Sequence, residues 1–392
     1  MLAAALLAGG GGPPAFAQTL AKPPGGPASI AVGPLKLIPT LDLSLGYDDN
    51  LYFRSTNVIG SAYTVTSPAL RLESGPGQLR FDATLRLDMG RYDAAPADNY
   101  VDVLMVANGE YAFTGRASLR LRAEHRHGHD PRGFTDRAAS AVPDEWDNTG
   151  MEGVFRYGAQ GAQGRIEIDA ANYARRYANN RTTTAPFDRD SRQFGGTFYW
   201  RIQPKTELIF QSQRRWMDYV DPASTQDSSE TRHYLGARWD ATAATSGFLK
   251  FGRMDKKFSG AGRRDISDYS WDVGVRWSPR TYSAVDLSTA RQTNESTGVG
   301  DAIISTSYGA AWNHAWSSRF RTQVLGNRRQ DAFSGAGVSR QDTVTSFGLK
   351  LGYDFQRWLR LGAEWTQTER ASTAPGVDYQ RNLLLFTFGA SL

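Results

Sequence analysis

The chain of 392 residues contains no cysteine, which excludes a disulfide-stapled scaffold and thiolate-ligated zinc. It also lacks any uninterrupted apolar run near the ~18 residues that a membrane-spanning helix needs, and its mean hydropathy is -0.48. A helical membrane protein is thereby excluded. No phosphate-binding loop, dinucleotide fingerprint or zinc-protease motif occurs, and His233 and His314 stand without a recognisable Ser or Asp partner pattern. Carboxylate pairs such as Asp82 with Asp88, or Glu167 with Asp169, are what any charged water-facing surface supplies, so they are poor grounds for a hydrolase. The sequence therefore predicts neither catalytic residues nor a cofactor, and no nucleic-acid partner.

What the chain does have is glycine, aromatics and alternation: 40 Gly, 10 Trp, 17 Tyr and 19 Phe. Leu37, Pro39, Leu41, Leu43, Leu45 and Tyr47 fall on one face of an extended segment, with Thr40, Asp42, Ser44, Gly46 and Asp48 on the other. That is the period of a β-strand. The same pattern returns in 78–92, 100–113, 117–127, 267–277 and 341–355, and it persists to Leu392. Segments of 11 to 15 residues exceed the ~5 to 6 of globular sheets and suit a bilayer, which takes ~9 to 11 tilted residues.

Connector lengths give the topology. Short connectors, such as Thr114-Gly115-Arg116, Gln203-Pro204-Lys205, Ser278-Pro279-Arg280, Ser317-Ser318-Arg319 and Gln356-Arg357-Trp358, alternate with longer polar segments, such as 48–61, 128–144 and 293–303. Eight turns and nine loops join eighteen strands. The expectation is an all-β protein: one transmembrane antiparallel β-barrel over 35–392, long loops outside, both termini periplasmic, in the outer membrane of a Gram-negative bacterium. Ahead of it, MLAAALLAGGGGPPAFA reads as a signal peptide over 1–17 ending in an A-x-A site, followed by an exposed Pro/Gly-rich leader over 18–34. Trp146 and Trp271 near the outer strand ends, and Trp200, Trp239, Trp277, Trp316 and Trp358 near the turns, are expected as interfacial anchors.

The water-facing positions carry the candidate path for solute: Arg80, Arg86, Arg120, Arg122, Glu124, Arg126, Asp272, Arg276, Arg360 and Glu364. Mixed charge keeps a wide pore hydrated, while the net charge of +5 favours acidic solutes. His125, His127 and His129 share one strand face and form the one candidate metal cluster, though histidines at a strand end also serve as interfacial aromatics. The absence of any predicted loop much longer than seventeen residues predicts a lumen without an inward-folded loop.

The first strand ends in Gly46-Tyr47-Asp48-Asp49-Asn50, followed by Leu51-Tyr52. Asp48, Asp49 and Asn50 can terminate the strand by bonding nearby backbone or hold a divalent cation at the rim. This motif, with a leader before it and an alternating pattern to the last residue, resembles the Putative beta-barrel porin 2 family, which includes outer-membrane proteins of exopolysaccharide loci. The resemblance implies a conduit for export of a secreted polysaccharide, with a periplasmic polysaccharide-export protein docking below, and the net charge of +5 makes an acidic polymer the expected cargo. Lipopolysaccharide, outer-membrane lipid and the barrel insertion machinery complete the expected partners. A general or small-anion diffusion porin is the alternative, and a structural or adhesive surface barrel the third.

Overall fold

The computed structural model describes residues 29–159, 161–240, 244–296 and 298–391. The expected signal segment, leader residues 18–28 and the terminal Leu392 lie outside the described residues. β1 (Ile30–Val32) is short and exposed; it turns at Gly33, where φ is 59°, and lies back on the start of β2 (Leu35–Asp48). The sheet continues through β3 (Ser61–Ser74), β4 (Leu79–Tyr92), β5 (Tyr100–Ala112), β6 (Ala117–Asp130) and β7 (Asp144–Tyr157). It proceeds through β8 (Gly164–Tyr177), β9 (Arg189–Gln203), β10 (Thr206–Tyr219), β11 (Ser228–Trp239), β12 (Thr245–Phe258) and β13 (Ile266–Arg280). The remaining strands are β14 (Ser283–Glu295), β15 (Ala302–Ala315), β16 (Phe320–Ser334), β17 (Gln341–Asp354), β18 (Leu359–Ser372) and β19 (Tyr379–Ser391).

Each strand from β2 to β19 pairs antiparallel with the next, and β19 returns to β2 from Leu383↔Asp48 to Ser391↔Thr40. The result is a closed barrel of eighteen strands with no free edge. Seven of the eight expected turns and all nine expected loops fall between these strands. One turn is displaced: β13 runs on through Pro279 to Arg280, and its register against β14 shifts between Trp277 and Arg280. Proline has no N–H for the ladder, so a bulge is where a strand accommodates it.

Period-two alternation becomes inside and outside. Leu41, Leu43 and Leu45 of β2 face outward beside Phe386 and Phe388 of β19, all well exposed, whereas Asp42 and Ser44 face the lumen beside Gly389 and Thr387. An outer wall of this kind leaves its large apolar side chains to lipid, so the fold needs a hydrocarbon surround, bilayer or detergent.

The Asp48-Asp49-Asn50 motif lies at the closing seam. Arg381 of β19 donates to Asp48 at 3.0 Å from Nε and 2.5 Å from Nη2, and Asn382 donates its backbone N–H and its side-chain amide to Asp49 at 2.6 and 2.8 Å. The Asn50 amide donates to the carbonyls of Arg54 and Gln380 at 2.7 and 2.8 Å, and its backbone N–H donates to Asp48 Oδ1 at 3.0 Å. The three residues thus end β2 and latch it to the last strand. Asp48 is fully buried and Arg381 is 21% exposed, so Asp48→Ala would leave a mostly buried guanidinium without its carboxylate. Breaking a buried pair in this way costs ~3–5 kcal/mol, and a clear fall in the urea midpoint of the refolded barrel is expected. Arg381→Lys, which keeps the charge and loses the fork, should fall between wild type and Asp48→Ala.

Candidate functional site: a charged lumen narrowed by an inward hairpin

Strand register places all ten expected path residues on the lumen face. They do not act singly. Arg80 pairs with Glu110 at 3.1 Å, Arg86 with Asp88 at 2.8 Å and Asp42 at 3.6 Å, and Arg122 with Glu124 at 2.5 Å. Elsewhere on the lumen wall, Asp272 pairs with Lys250 at 2.7 Å, Arg276 with Asp286 at 2.8 Å, Arg360 with Asp354 at 3.2 Å and Glu364 with Lys350 at 2.9 Å. Arg126 instead lies over the ring of Trp146, 5.5 Å from its centroid. Among the described residues Arg120 has no ion pair, and it is exposed to the lumen.

His125 and His127 occupy the same outward face of β6 as Leu119 and Leu121 and share Asp147 at 3.7 and 3.1 Å, whereas His129, beyond the last β5–β6 ladder pair, leans onto the lumen-side Asp102 and Tyr100. His125 also meets Thr149 at 2.8 Å, and His129 meets Asp102 at 2.8 Å while stacking on Tyr100. No group of three or more His, Asp or Glu among the described residues is arranged to hold a metal ion.

The lumen is not open throughout, contrary to the expectation from loop length. The ladder between β13 and β14 stops at Trp271↔Arg291, although β14 and β15 stay paired to Glu295↔Ala302. Freed from β13, the tip of the β14–β15 hairpin leans inward against the inner surface of strands several places away. Thr293 donates to Glu230 of β11. Glu295 accepts from Lys256 of β12 at 2.5 Å and from the Tyr219 hydroxyl of β10 at 3.2 Å. Thr293, Asn294 and Glu295 then close a cavity of ≈ 50 Å³ against the lumen wall, where they face Arg175, Arg189 and Arg215 of β8 to β10. With Lys256 and Arg232 the three guanidiniums make five cations against the carboxylates of Glu295, Glu230 and Asp130, so the narrowed section is positive.

The loop 131–143 crosses the mouth above it. β6 and β7, which carry this loop, lie nearly opposite β16 and β17 in the strand order, yet Arg340, just before β17, donates to Asp136 at 2.7 Å. Gly298, at the hairpin tip with φ 143°, sits so close that a Cβ there would be 2.7 Å from the Asp136 carbonyl. Nearer its own side the loop is fixed by Arg132, which donates to Asp98 at 2.7 Å, and by Arg137, which donates to Asp130 at 2.6 Å and lies 2.8 Å from Asp144. The hydrogen bond to Asp98 holds the Arg132 guanidinium above its ordinary pKa, so the arginine stays charged. Gly133, at φ 80°, allows a contact in which any Cβ would be 2.2 Å from the Tyr52 carbonyl. Phe134 meets Phe53 edge-on at 5.5 Å.

Trp146 is also relocated. It shares the inward parity of Glu152 and Arg156 on β7, is buried, and carries the Arg175 guanidinium 4.0 Å above its ring. It lines the lumen and anchors no interface. Arg175, Arg189, Arg215, Lys256 and Glu295 were invisible as a site in the sequence because five strands bring them together; the one local signal was their parity on alternating strands.

A family model described as Putative beta-barrel porin 2 matches residues 22–389. No curated protein matches the chain at the level of sequence. Among solved structures, the chain is similar to OccK3 (OpdO) of Pseudomonas aeruginosa, with a TM-score of 0.52 and 13% identity over 91% of this chain and 96% of that one. It is also similar to OpdK of the same organism with vanillate, at a TM-score of 0.53 and 12% identity over 91% and 99%. Similarity to OccAB3 of Acinetobacter baumannii has a TM-score of 0.50 and 11% identity over 91% and 99%. At such identities the likeness is one of fold: an outer-membrane porin barrel.

Proposed function

Because the chain belongs to the Putative beta-barrel porin 2 family and forms a porin-like barrel of the Gram-negative outer membrane, we propose that it is a diffusion channel for small anionic solutes. The observation that carries this reading is the inward hairpin, whose Thr293, Asn294 and Glu295 narrow the lumen against Arg175, Arg189 and Arg215. A narrowed, positive and water-lined section admits small carboxylates or phosphates and opposes cations. Arg forks onto such groups in bidentate fashion. Among the fold neighbours, the OpdK structure was solved with vanillate, a small aromatic acid of the class this section would pass.

Export of an exopolysaccharide, which the family resemblance implied, fits less well, since a polymer needs a continuous wide bore and the loop 131–143 spans the mouth to Arg340. In planar bilayers the protein should favour anions, and Arg215→Glu should lower the anion-to-cation permeability ratio severalfold with the barrel still folded. A cation-selective wild-type channel would reject the reading. Deletion of the gene should leave secreted polysaccharide unchanged; its loss would restore the export reading instead.

A further inference from the structure

The outer wall carries a groove of ≈ 900 Å³, a volume within the ~300–1,000 Å³ of small-molecule sites. Two neighbouring ladder rows make it. In one, Phe198, Phe210, Leu235 and Phe251 stand side by side across β9 to β12; in the next, Gly196 and Ser212 present almost no side chain. Bulky apolar residues beside two small ones leave a depression on the lipid side. Phe210, Leu235 and Phe251 are 45%, 63% and 57% exposed, as a surface meant for hydrocarbon would be.

The small-residue row does not end in apolar residues. It continues into His233 and Arg253, and Arg214 follows one step above Ser212 on the same face of β10. His233 lies six residues up its strand from Trp239, which in a tilted strand climbs ~15 Å. In a band ~25 Å tall that places His233 and its ladder neighbour Arg253 just above the middle, and Arg214, opposite Thr231 two residues higher, at ~20 Å, from where the long arginine side chains extend toward the upper boundary. Arg253 shares Asp255 at 3.3 Å and Ser267, while Arg214 lies over Trp216 at 5.2 Å and has no carboxylate partner among the described residues. Two arginines and a histidine against one carboxylate form a positive rim over a hydrocarbon groove.

We propose that this groove binds one phosphorylated glycolipid of the outer leaflet, with an acyl chain along Phe198, Phe210, Leu235 and Phe251 and a phosphate against Arg214, His233 and Arg253. The orientation used is that of long loops facing the cell exterior, as in other barrels of this membrane. A second copy of the chain would cover the apolar rows but would leave the rim cations facing a partner surface that repeats them. A phosphorylated lipid satisfies both.

The test is native mass spectrometry of the full-length protein in detergent with added bis-phosphorylated lipid A, dephosphorylated lipid A or phosphatidylethanolamine. One bis-phosphorylated lipid should be retained in preference to the other two. Arg214→Glu with Arg253→Glu should weaken retention by about tenfold or more, and Ser212→Trp, which fills the depression, should do so independently. Heat-modifiable gel mobility verifies that both variants are folded. Equal retention of dephosphorylated lipid would overturn the proposal, as would efficient disulfide dimerisation of a Leu235→Cys variant in membranes. Failure of Ala223→Cys to label on intact cells would also overturn it, by placing the groove's cations at the inner leaflet.

Discussion

Leu85→Arg should block assembly of the barrel almost completely. Leu85 is near the middle of β4, flanked across the ladder by Leu70 and Met105 on the same outward face, so an arginine there would put its charge at bilayer depth. On the lipid side near the midplane that costs ~2–4 kcal/mol. Val275→Arg should be milder, because Val275 is only two residues from Trp277 at the turn end, where the penalty falls to ~0–1 kcal/mol. Val106→Arg provides the lumen control: Val106 neighbours Leu85's strand but faces inward, directly across from Glu124, and should assemble normally. The readout is the fraction of heat-modifiable, protease-resistant protein in outer membranes. Equal loss at Leu85 and Val106 would mean that the two faces are wrongly assigned.

This contrast also shows why the barrel was legible in sequence and its constriction was not. Inside and outside are set residue by residue, because one face of each strand must meet hydrocarbon and the other water; Leu41, Leu43 and Leu45 against Asp42 and Ser44 state that locally. Long and short connectors fixed the turns as directly. The same parity would have placed Trp146 with Glu152 and Arg156 on the lumen face and His125 with Leu119 and Leu121 on the outer one, had it been allowed to outweigh the usual interfacial preference of aromatic side chains. The hairpin had no such local signature. Its polar tip reads as a loop near 293–303, and its inward lean depends on contacts far away in sequence, from Thr293 to Glu230 and from Glu295 to Lys256. Loop length was a poor guide for the same reason: thirteen residues, 131–143, suffice to reach Asp136 across to Arg340, since that loop is met halfway by Gly298.

Excising the hairpin tip should raise single-channel conductance severalfold and admit larger solutes. Gln292 and Ser305 are direct ladder partners, so replacing residues 293–304 with Asn-Gly would join them by a two-residue turn of the type hairpins prefer. The excision also removes what buries Lys256. In the intact protein the Lys256 side chain is 2% exposed and its ammonium lies 2.5 Å from Glu295; once the hairpin is gone, water can hydrate it, and Glu230 stands directly across the ladder. Glu295→Leu is therefore the harsher change for stability, because it leaves the hairpin in place over an unpaired buried ammonium, a loss of ~3–5 kcal/mol that should loosen the tip and appear as flickering between conductance levels. The two variants separate constriction from folding. The excision variant should swell liposomes in oligosaccharides that wild type excludes, with near-normal heat-modifiable mobility, whereas Glu295→Leu should lose thermal stability and keep a similar maximal size limit. Should the excision variant conduct and exclude as wild type does, the narrowest section of the path would have to lie elsewhere, along Arg86, Arg122 and Glu364 in the lower lumen.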